Sequence, residues 1–582
     1  MKRVLIFSLF AFAISCAGCS KDRISTTEEP VDTSAVDNDE PEEQLGDNDD
    51  ISSVSFDRTI NIVWSGSAAS VDGDEGGLVS VSGAAVTVNN TTQEVIRYCL
   101  SGESSAGCFK LYSSRKQAIV LQGLKLTGAS GAAINNQSKK RTFVVVEGEN
   151  SLADAATYST ADGEDEKAAF FSEGQLVFSG TGSLSVTATG KAGITSDDYL
   201  RFMGSQSITA NSTAGHALRG KDAVRIDDGT LTLGSTAAGK KGISSDGTVT
   251  INGGATVITV SGGTVAEQVT SGNSTTTEYT GSAGVKADST FVMNAGTLSI
   301  TNSGQGGKGI SGDMQGIFAG GTVSVKVTGS NYGSSATKAG PGGGGWGPGG
   351  GGWGPGSGSS ESSKSAKGIK FDGDITISGG SITVSAASHE AVESKGKLTV
   401  TGGTLYAYSA ADDAINSAGD MSLSGGYVCG WSAGNDGIDA NGNLNIEGAT
   451  VYAVCTKGSP EVALDANTEG GKKLYLKSGT LAAVGGLESG SSITGSAYSA
   501  SGWSKGAWLT LYDSSSNPMI SFKTPSSGSS LVVYSGGKSV TLKSGSTLSG
   551  ERSIWDGNGA CEGSASGGSN VSLSSYSSNS RW

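Results

Sequence analysis

Carboxylates recur in this chain at a spacing that could hold a cation. Glu390, Asp413 and Asp436 follow one another at intervals of 23 residues, and His389, Asp412 and Asn435 each stand one place earlier. Carboxylates brought onto neighbouring strands repel unless a cation or hydrogen bonds offset their charge. Asp and Asn side chains and backbone carbonyls offer only oxygen, which suits Ca2+ better than zinc. Asp412, Asp413, Asn435, Asp436 and Glu390 are therefore the expected Ca2+ ligands. A second series, Asp197, Asp246, Asp288, Asp313 and Asp372, shares one offset in its own repeats. Asp at such a place also caps turns by accepting backbone N–H groups, so this series has an ordinary alternative role.

Aromatic residues form the second pattern. They make up 6% of the chain, yet Tyr406, Tyr408, Tyr427, Trp431 and Tyr452 fall within two strand lengths of the acids. Strand alternation that turns Ile382, Leu405, Val428 and Val451 inward sends these rings outward. An outward row of rings can stack on the C–H faces of sugars, so these five residues are the expected glycan platform. Packing beneath a loop or beneath the C-terminal segment is the alternative.

The elements that must position both patterns are visible as a repeat. A Gly or Ala precedes an aliphatic anchor, a turn follows, and two β segments flank a Gly-Gly-like step. The phrases GIKFDGDITISGGSITVSAASHE, AVESKGKLTVTGGTLYAYSAADD and AINSAGDMSLSGGYVCGWSAGND are consecutive, with anchors Ile369, Val392, Ile415 and Ile438 23 residues apart. Ile194, Leu218 and Ile243 step by 24 and 25. Period-two alternation, β-branched strands and Gly, Asn and Asp at the breaks indicate strands with no helix. One face of each unit is apolar and can be buried only by stacking on the next unit. The Leu-x-x-Leu-x-Leu frame and the tandem G-G-x-G-x-D nonapeptide are absent. The expected fold is all-β, a right-handed parallel β-helix with N- and C-terminal caps, its hand taken from the general chirality of parallel crossovers.

The residues needed for catalysis are not evident. An inverting galacturonan hydrolase needs paired Asp with Gly-His-Gly and Arg-x-Lys on one face, but the only histidines are His216 and His389. Lys221, Asp222 and Arg225 form one charged knot within a repeat, and no Arg lies between Asp412 and Asp439. A polysaccharide lyase or hydrolase is thus the less favoured reading, and binding without cleavage the expected one.

The opening MKRVLIFSLFAFAISCAGCSKD has a basic start, an apolar run and a small-residue junction, the pattern of an export signal. It resembles a bacterial lipoprotein signal, with Cys19 as the lipidated residue, Cys16 as a second possibility and plain secretion as the alternative. No later apolar run is long enough to span a bilayer. Twelve acids between residues 21 and 50, against Lys21 and Arg23, account for about two-thirds of the net charge of −15. This composition reads as a solvated tether, and nothing resembles a basic nucleic-acid surface. The expected organisation is residues 1–19 signal, 20–50 acidic disordered tether and 51–126 N-terminal cap with first irregular coils. Residues 127–500 form the β-helix, interrupted at 262–281 and by a Gly-rich insertion over 333–365 that carries Trp346 and Trp353. Residues 501–560 supply terminal strands and 561–582 a Ser-rich tail. Cys99 and Cys108 flank a Gly/Ser stretch and could close a disulfide in an oxidising compartment. Cys429 and Cys455 fall in different columns and are not expected to pair.

The phrases ADDAINSAGDMSLSGG, GNDGIDANGNLNIEGATV and GIKFDGDITISGGSITV resemble a bacterial family of extracellular β-helix carbohydrate-binding proteins. The resemblance runs roughly over residues 110–490 and is most specific over 366–455. It implies calcium along the coils and binding of acidic pectic and cellulosic polysaccharides. Family members often carry Asp-Asp-Gly-Ile in successive coils. Here the pair survives as Asp412–Asp413, with Asn435–Asp436 close to it, whereas Lys191, Lys241 and Lys367 occupy related places in other coils. The expectation is a monomeric, surface-exposed outer-membrane lipoprotein, attached to the membrane through its lipid alone, that binds polysaccharide. A structural or adhesive stalk with no glycan site is the rival.

Overall fold

The computed structural model describes residues 45–46, 48–271, 274–333, 364–525, 530–545, 547–549, 559–561, 564–566 and 568–578. The signal segment with Cys19, most of the acidic run, and the Gly-rich stretch with Trp346 and Trp353 lie outside the described residues. The described chain is all-β: apart from one 3-10 turn at Ile51–Ser53 it contains strands and connections, with no α-helix. Most strands belong to two large sheets of 34 and 15 strands.

Each repeat sends one short strand to the 15-stranded sheet and two strands to the larger one. In the smaller sheet Ile369, Val392, Ile415, Ile438 and Leu464 stand in parallel register. In the larger sheet Ile382, Leu405, Val428 and Val451 do the same. Ile375, Leu398, Met421 and Leu444 make a third aligned series. All of these side chains are buried in one continuous hydrophobic core. Equal offsets in the repeat are therefore neighbours in space, at the roughly 4.8 Å separation of paired strands.

The Gly or Ala before each anchor has a steric cause. A Cβ on Gly368 would lie 2.2 Å from Val384 Cγ1 and 2.3 Å from the Ala391 carbonyl oxygen. One repeat on, Ala391 stands level with Ala407, and the next, Ala414, with Gly430, because 384, 407 and 430 share a register. Gly242, Gly284 and Gly309 face the branched Ile258, Ile300 and Val325 in the same way, so glycine at these anchors leaves room for a larger side chain across the interior.

Corners are closed by buried serines. Ser409 Oγ donates to the His389 carbonyl at 2.9 Å, and Ser432 Oγ to the Asp412 carbonyl at 2.6 Å. Each satisfies a polar group of the preceding repeat that would otherwise be stranded.

Parallel stacking starts early: Arg58–Ser65, Ile96–Ser104 and Gln117–Thr127 already pair in parallel. Residues 262–281 contain an exposed antiparallel hairpin, Val265–Ser271 with Ser274–Thr280. The end of the acidic run is ordered, since Asp49 is buried against Tyr199 Oη at 2.6 Å, Arg201 Nη1 at 2.6 Å and Arg141 Nε at 3.1 Å. At the other end, pairing turns antiparallel where Leu474–Val484 meets Leu531–Ser535. Asn570–Ser575, within the Ser-rich tail, pairs with Ala497–Ser501 and Thr541–Gly545.

The expected disulfide does not form: Cys99 and Cys108 are free. The strand holding Cys99 runs on to Ser104 and belongs to the larger sheet, whereas Cys108 opens a strand of the smaller one. The five residues from Cys99 to Ser104 carry the chain on the order of 15 Å, so the two cysteines do not flank a tight turn. Cys429 and Cys455 are buried and also free, in register with Tyr452 and Ser432 respectively.

Candidate functional site

The acids gather at one end of the 15-stranded sheet. Asp413 and Asp436 are buried, and Asp436 N–H donates to Asp413 Oδ1 at 3.0 Å. Val462 N–H in turn donates to Asp436 Oδ1 at 2.6 Å. Beside them runs a second ladder, one residue after each anchor: Glu393, Asn416, Asp439 and Asp465 in register. Asn416 Nδ2 joins the two, donating to Asp413 Oδ2 at 3.1 Å and to Asp439 Oδ2 at 2.7 Å. Asp439 and Asp465 were not singled out from the sequence. The signal was present, since both follow an anchor as Asn416 does, but a single Asp in I-D-A or L-D-A has no motif to mark it.

These carboxyls hold their protons strongly. Burial, then Asp439, Asp412 and Asp436, pushes Asp413 up to about 8. Burial and Asp436 push Asp439 up to about 7, and burial with Glu461 and Glu488 brings Asp436 up to about 6. Asp465 rises through burial and a shared hydrogen bond with Glu488. No Lys or Arg forms an ion pair with Asp413, Asp436, Asp439 or Asp465 among the described residues. Glu390 differs, because Lys367 Nζ lies 3.1 Å from it and also pairs with Glu393. Burial alone lowers His389, but its hydrogen bonds to Asp412 and Glu390 hold it up at about 9. His389 Nδ1 lies 3.0 Å from Asp412, and His389, Glu390 and Asp412 could converge on one ion. Asn435 Nδ2 donates to Asp412 Oδ1 at 3.3 Å. The structure thus brings all five expected ligands into the bends that lead into adjacent strands, but Glu390 already faces a lysine.

The second Asp series has cations of its own. Asp197 meets Lys167 at 2.5 Å, Asp246 meets Arg219 at 2.8 Å and Asp288 meets Lys286 at 2.9 Å. Asp313 pairs with Lys286 and Asp372 with Lys370. These carboxylates are thus paired with lysine or arginine, and Asp197 also lies within reach of Asp165 and Glu173, close enough for the three to share one ion.

The aromatic series is corrected in part. Tyr452 is 0% exposed and Tyr406 6%, so neither can serve an open platform. Alternation does turn them away from the main core, but the C-terminal strands cover them. Leu509, Leu511, Ile520, Phe522, Leu531 and Val533 form a second apolar cluster with Tyr406, Cys429 and Tyr452. Tyr452 Oη donates to the Lys523 carbonyl at 2.6 Å, and its ring lies 5.1 Å from that of Phe522. Tyr408, Tyr427 and Trp431 remain half-exposed at the edge of this cover. Tyr408 and Trp431 stand in register, and Trp431 meets Tyr452 edge-to-face at 6.2 Å. Asp412 follows Tyr408, and Asn435 follows Trp431, by four residues each around the serine corner. Two half-exposed rings and two half-exposed oxygen-bearing side chains therefore share one corner.

Residues 82–414 match the family model of the carbohydrate-binding domain-containing proteins, more than half of the chain, and the chain belongs to that family. No curated protein matches it. Among solved structures, the polysaccharide lyase-like protein from C. thermocellum is similar at 21% identity, over 47% of this chain and 95% of that one. The TM-score is 0.32, too low for that likeness to bear on function.

Proposed function

We propose that this chain binds polysaccharide at the cell surface without cleaving it, on a calcium-stabilised, right-handed parallel β-helix. The observation that carries the reading is the shared corner of Tyr408 and Trp431 with Asp412 and Asn435, in a chain of a carbohydrate-binding family. Tyr408, Tyr427 and Trp431 offer rings for the sugar faces. Ca2+ is held around Asp412, Asp413, Asn435 and Asp436, where it can also bridge a sugar carboxylate; beside them, His389, Glu390 and Asp412 already converge closely enough to share one ion. Right-handed coiling is the usual chirality of parallel crossovers. Lipidation at Cys19 would attach a monomer to the outer membrane, with the acidic run as a tether.

Affinity electrophoresis on polygalacturonate, xylan and soluble cellulose, with calcium or chelator, tests the reading. Calcium-dependent retardation with no release of reducing ends or unsaturated sugar is expected. Retardation by none of these glycans would favour a stalk, and unsaturated product would make the protein a lyase.

A further inference from the structure

A second site lies further back along the 15-stranded sheet, in a cleft of about 250 Å3. Two adjacent columns build it. In one, Lys241, Ala283, Lys308 and Lys367 follow in register; in the other, Ser244, Lys286, Ser311 and Lys370. From Lys241 to Lys308 long cations alternate with short side chains in both directions, and the next strand carries lysine in both columns. Ala283 separates Lys241 from Lys308, and Ser311 separates Lys286 from Lys370, each pair roughly 10 Å apart across two strand spacings. The space left by Ala283, Ser311, Gly281 and Gly312 is the cleft.

Its charge is unbalanced. Lys241, Lys286, Lys308 and Lys370 line it, against Asp313 and Asp372 in the lining and Asp288 beside Lys286. Lys286 holds Asp313, and Lys370 holds Asp372. Lys241 Nζ reaches only the Gly239 carbonyl at 2.7 Å, and the Lys308 ammonium has no partner among the described residues. Burial, with Lys240 and Lys286 for one and Lys370, Lys364 and Lys367 for the other, lowers Lys241 and Lys308 to about 8. An anion in the cleft removes that strain. At the rim, Tyr279 of the exposed hairpin leans on Tyr332 with ring centres 5.9 Å apart, so a half-buried ring faces the lysines.

The cations are all lysines. Arg matches a planar carboxylate with two parallel hydrogen bonds, whereas Lys acts as a point charge that can approach from any side. Several point charges around a small volume fit three oxygens on a tetrahedral centre better than a flat carboxylate. We propose that this cleft takes a tetrahedral oxyanion carried on a sugar, a sulfate or phosphate ester, with the sugar against Tyr279. The proposal rests on the glycan-binding reading above and adds a site and a charge class to it. General attraction of polyanions is not the cause, because the chain carries a net charge of −15.

The test uses the full chain with dextran sulfate, phosphorylated mannan, unmodified dextran, polygalacturonate and inorganic sulfate and phosphate, read by calorimetry. Wild type is expected to bind at least one esterified glycan and not dextran. Lys308→Met should weaken that binding at least tenfold and Lys241→Met/Lys308→Met further. Neither should lower the melting temperature, because both relieve repulsion. Polygalacturonate binding should be unchanged in both. Tyr279→Ala should weaken the esterified glycan but not the inorganic ion. Preference between dextran sulfate and phosphorylated mannan identifies the ester. The proposal is overturned if neither esterified glycan binds, or if Lys308→Met binds them as wild type does. Retention of polygalacturonate in that event leaves the function proposed above intact. Inorganic sulfate or phosphate bound as tightly as the esterified sugar, with Tyr279→Ala silent, would keep the anion cleft and remove the glycan from it.

Discussion

Replacing Asp413 with Asn should make the calcium-free protein more stable at pH 8, which is unusual for a buried polar residue. Asp413 sits at about 8 against an ordinary 3.8, because burial comes first and Asp439, Asp412 and Asp436 add to it. The sign follows from proton binding. Between about pH 4 and pH 8 the folded state holds a proton at Asp413 that the unfolded state has released, so stability falls as pH rises through that window. At about 1.4 kcal/mol per unit, a shift of about four units amounts to on the order of 5 kcal/mol by pH 8. Asn keeps the shape and the acceptor for Asp436 N–H and carries no charge to bury, at the cost of the bond that Asp413 Oδ2 accepts from Asn416 Nδ2, which is smaller than the charge burial removed. With an unfolding entropy of about 2.1 cal/mol/K per residue and roughly 500 ordered residues, 1 kcal/mol moves the midpoint by about 1 °C. Thermal melts in chelator should therefore show wild type losing several degrees from pH 5 to pH 8, and Asp413→Asn losing less. Hydrogen exchange at residues 413–439 should follow the same order. Calcium at a hundred times its Kd should restore about 2.7 kcal/mol to wild type and little to Asp413→Asn. A wild-type melt that stays flat between pH 5 and pH 8 in chelator would refute the electrostatic reasoning. So would an Asp413→Asn protein less stable than wild type at pH 8 without calcium.

Three further outcomes are expected. Tyr452→Ala should cost about 3–5 kcal/mol and free the C-terminal strands, seen as new proteolytic cleavage after residue 497, whereas Trp431→Ala should leave that pattern unchanged and weaken glycan binding by about 1–3 kcal/mol, taking the range for stacking on an aromatic ring as the scale. Gly368→Ala should destabilise by about 1–3 kcal/mol through overpacking against Val384 and the Ala391 carbonyl, and the added Val384→Ala should recover only the side-chain part of it, a coupling read from a double-mutant cycle in denaturant. Alkylation of the unfolded protein without reductant should label both Cys99 and Cys108 in a peptide map, as free thiols require.

Much of the backbone was legible because the repeat is a packing rule written in residue size. Anchors, strand alternation and the Gly-or-Ala step all report the same interior, so Ile369, Val392, Ile415 and Ile438 could be aligned before any pairing was known. The acid ladder was legible for the same reason, since equal offsets become neighbours. What alternation does not encode is what lies on the other side of a strand. Tyr406 and Tyr452 point outward as their parity requires, yet strands some 60 to 130 residues later in the chain cover them. The Cys99–Cys108 expectation failed on length: the stretch between them was read as a turn, but most of it is strand.

The same two columns that carry the acids at one end carry lysines before it, and the order matters. In the column two residues before the anchor, Lys308, Lys367, Glu390, Asp413 and Asp436 succeed one another. In the column one residue after it, Lys370, Glu393, Asn416, Asp439 and Asp465 are in register. Lys367 bonds Glu390 and Glu393 where the sign changes, so charge is cancelled at that boundary and accumulates on either side of it. Random placement of charges would have let neighbouring repeats neutralise one another, as the Asp series three residues after the anchor does with Lys286 and Lys370. Segregation instead leaves buried carboxyls that resist ionising and half-buried amines whose protons are held less tightly than usual, each at a cost the fold carries unless a counter-ion arrives. A purely structural stack of strands gains nothing from that arrangement. A surface that binds a cation at one place and an esterified sugar about three strands away gains both sites, and a single glycan chain bearing carboxylate and sulfate could span them.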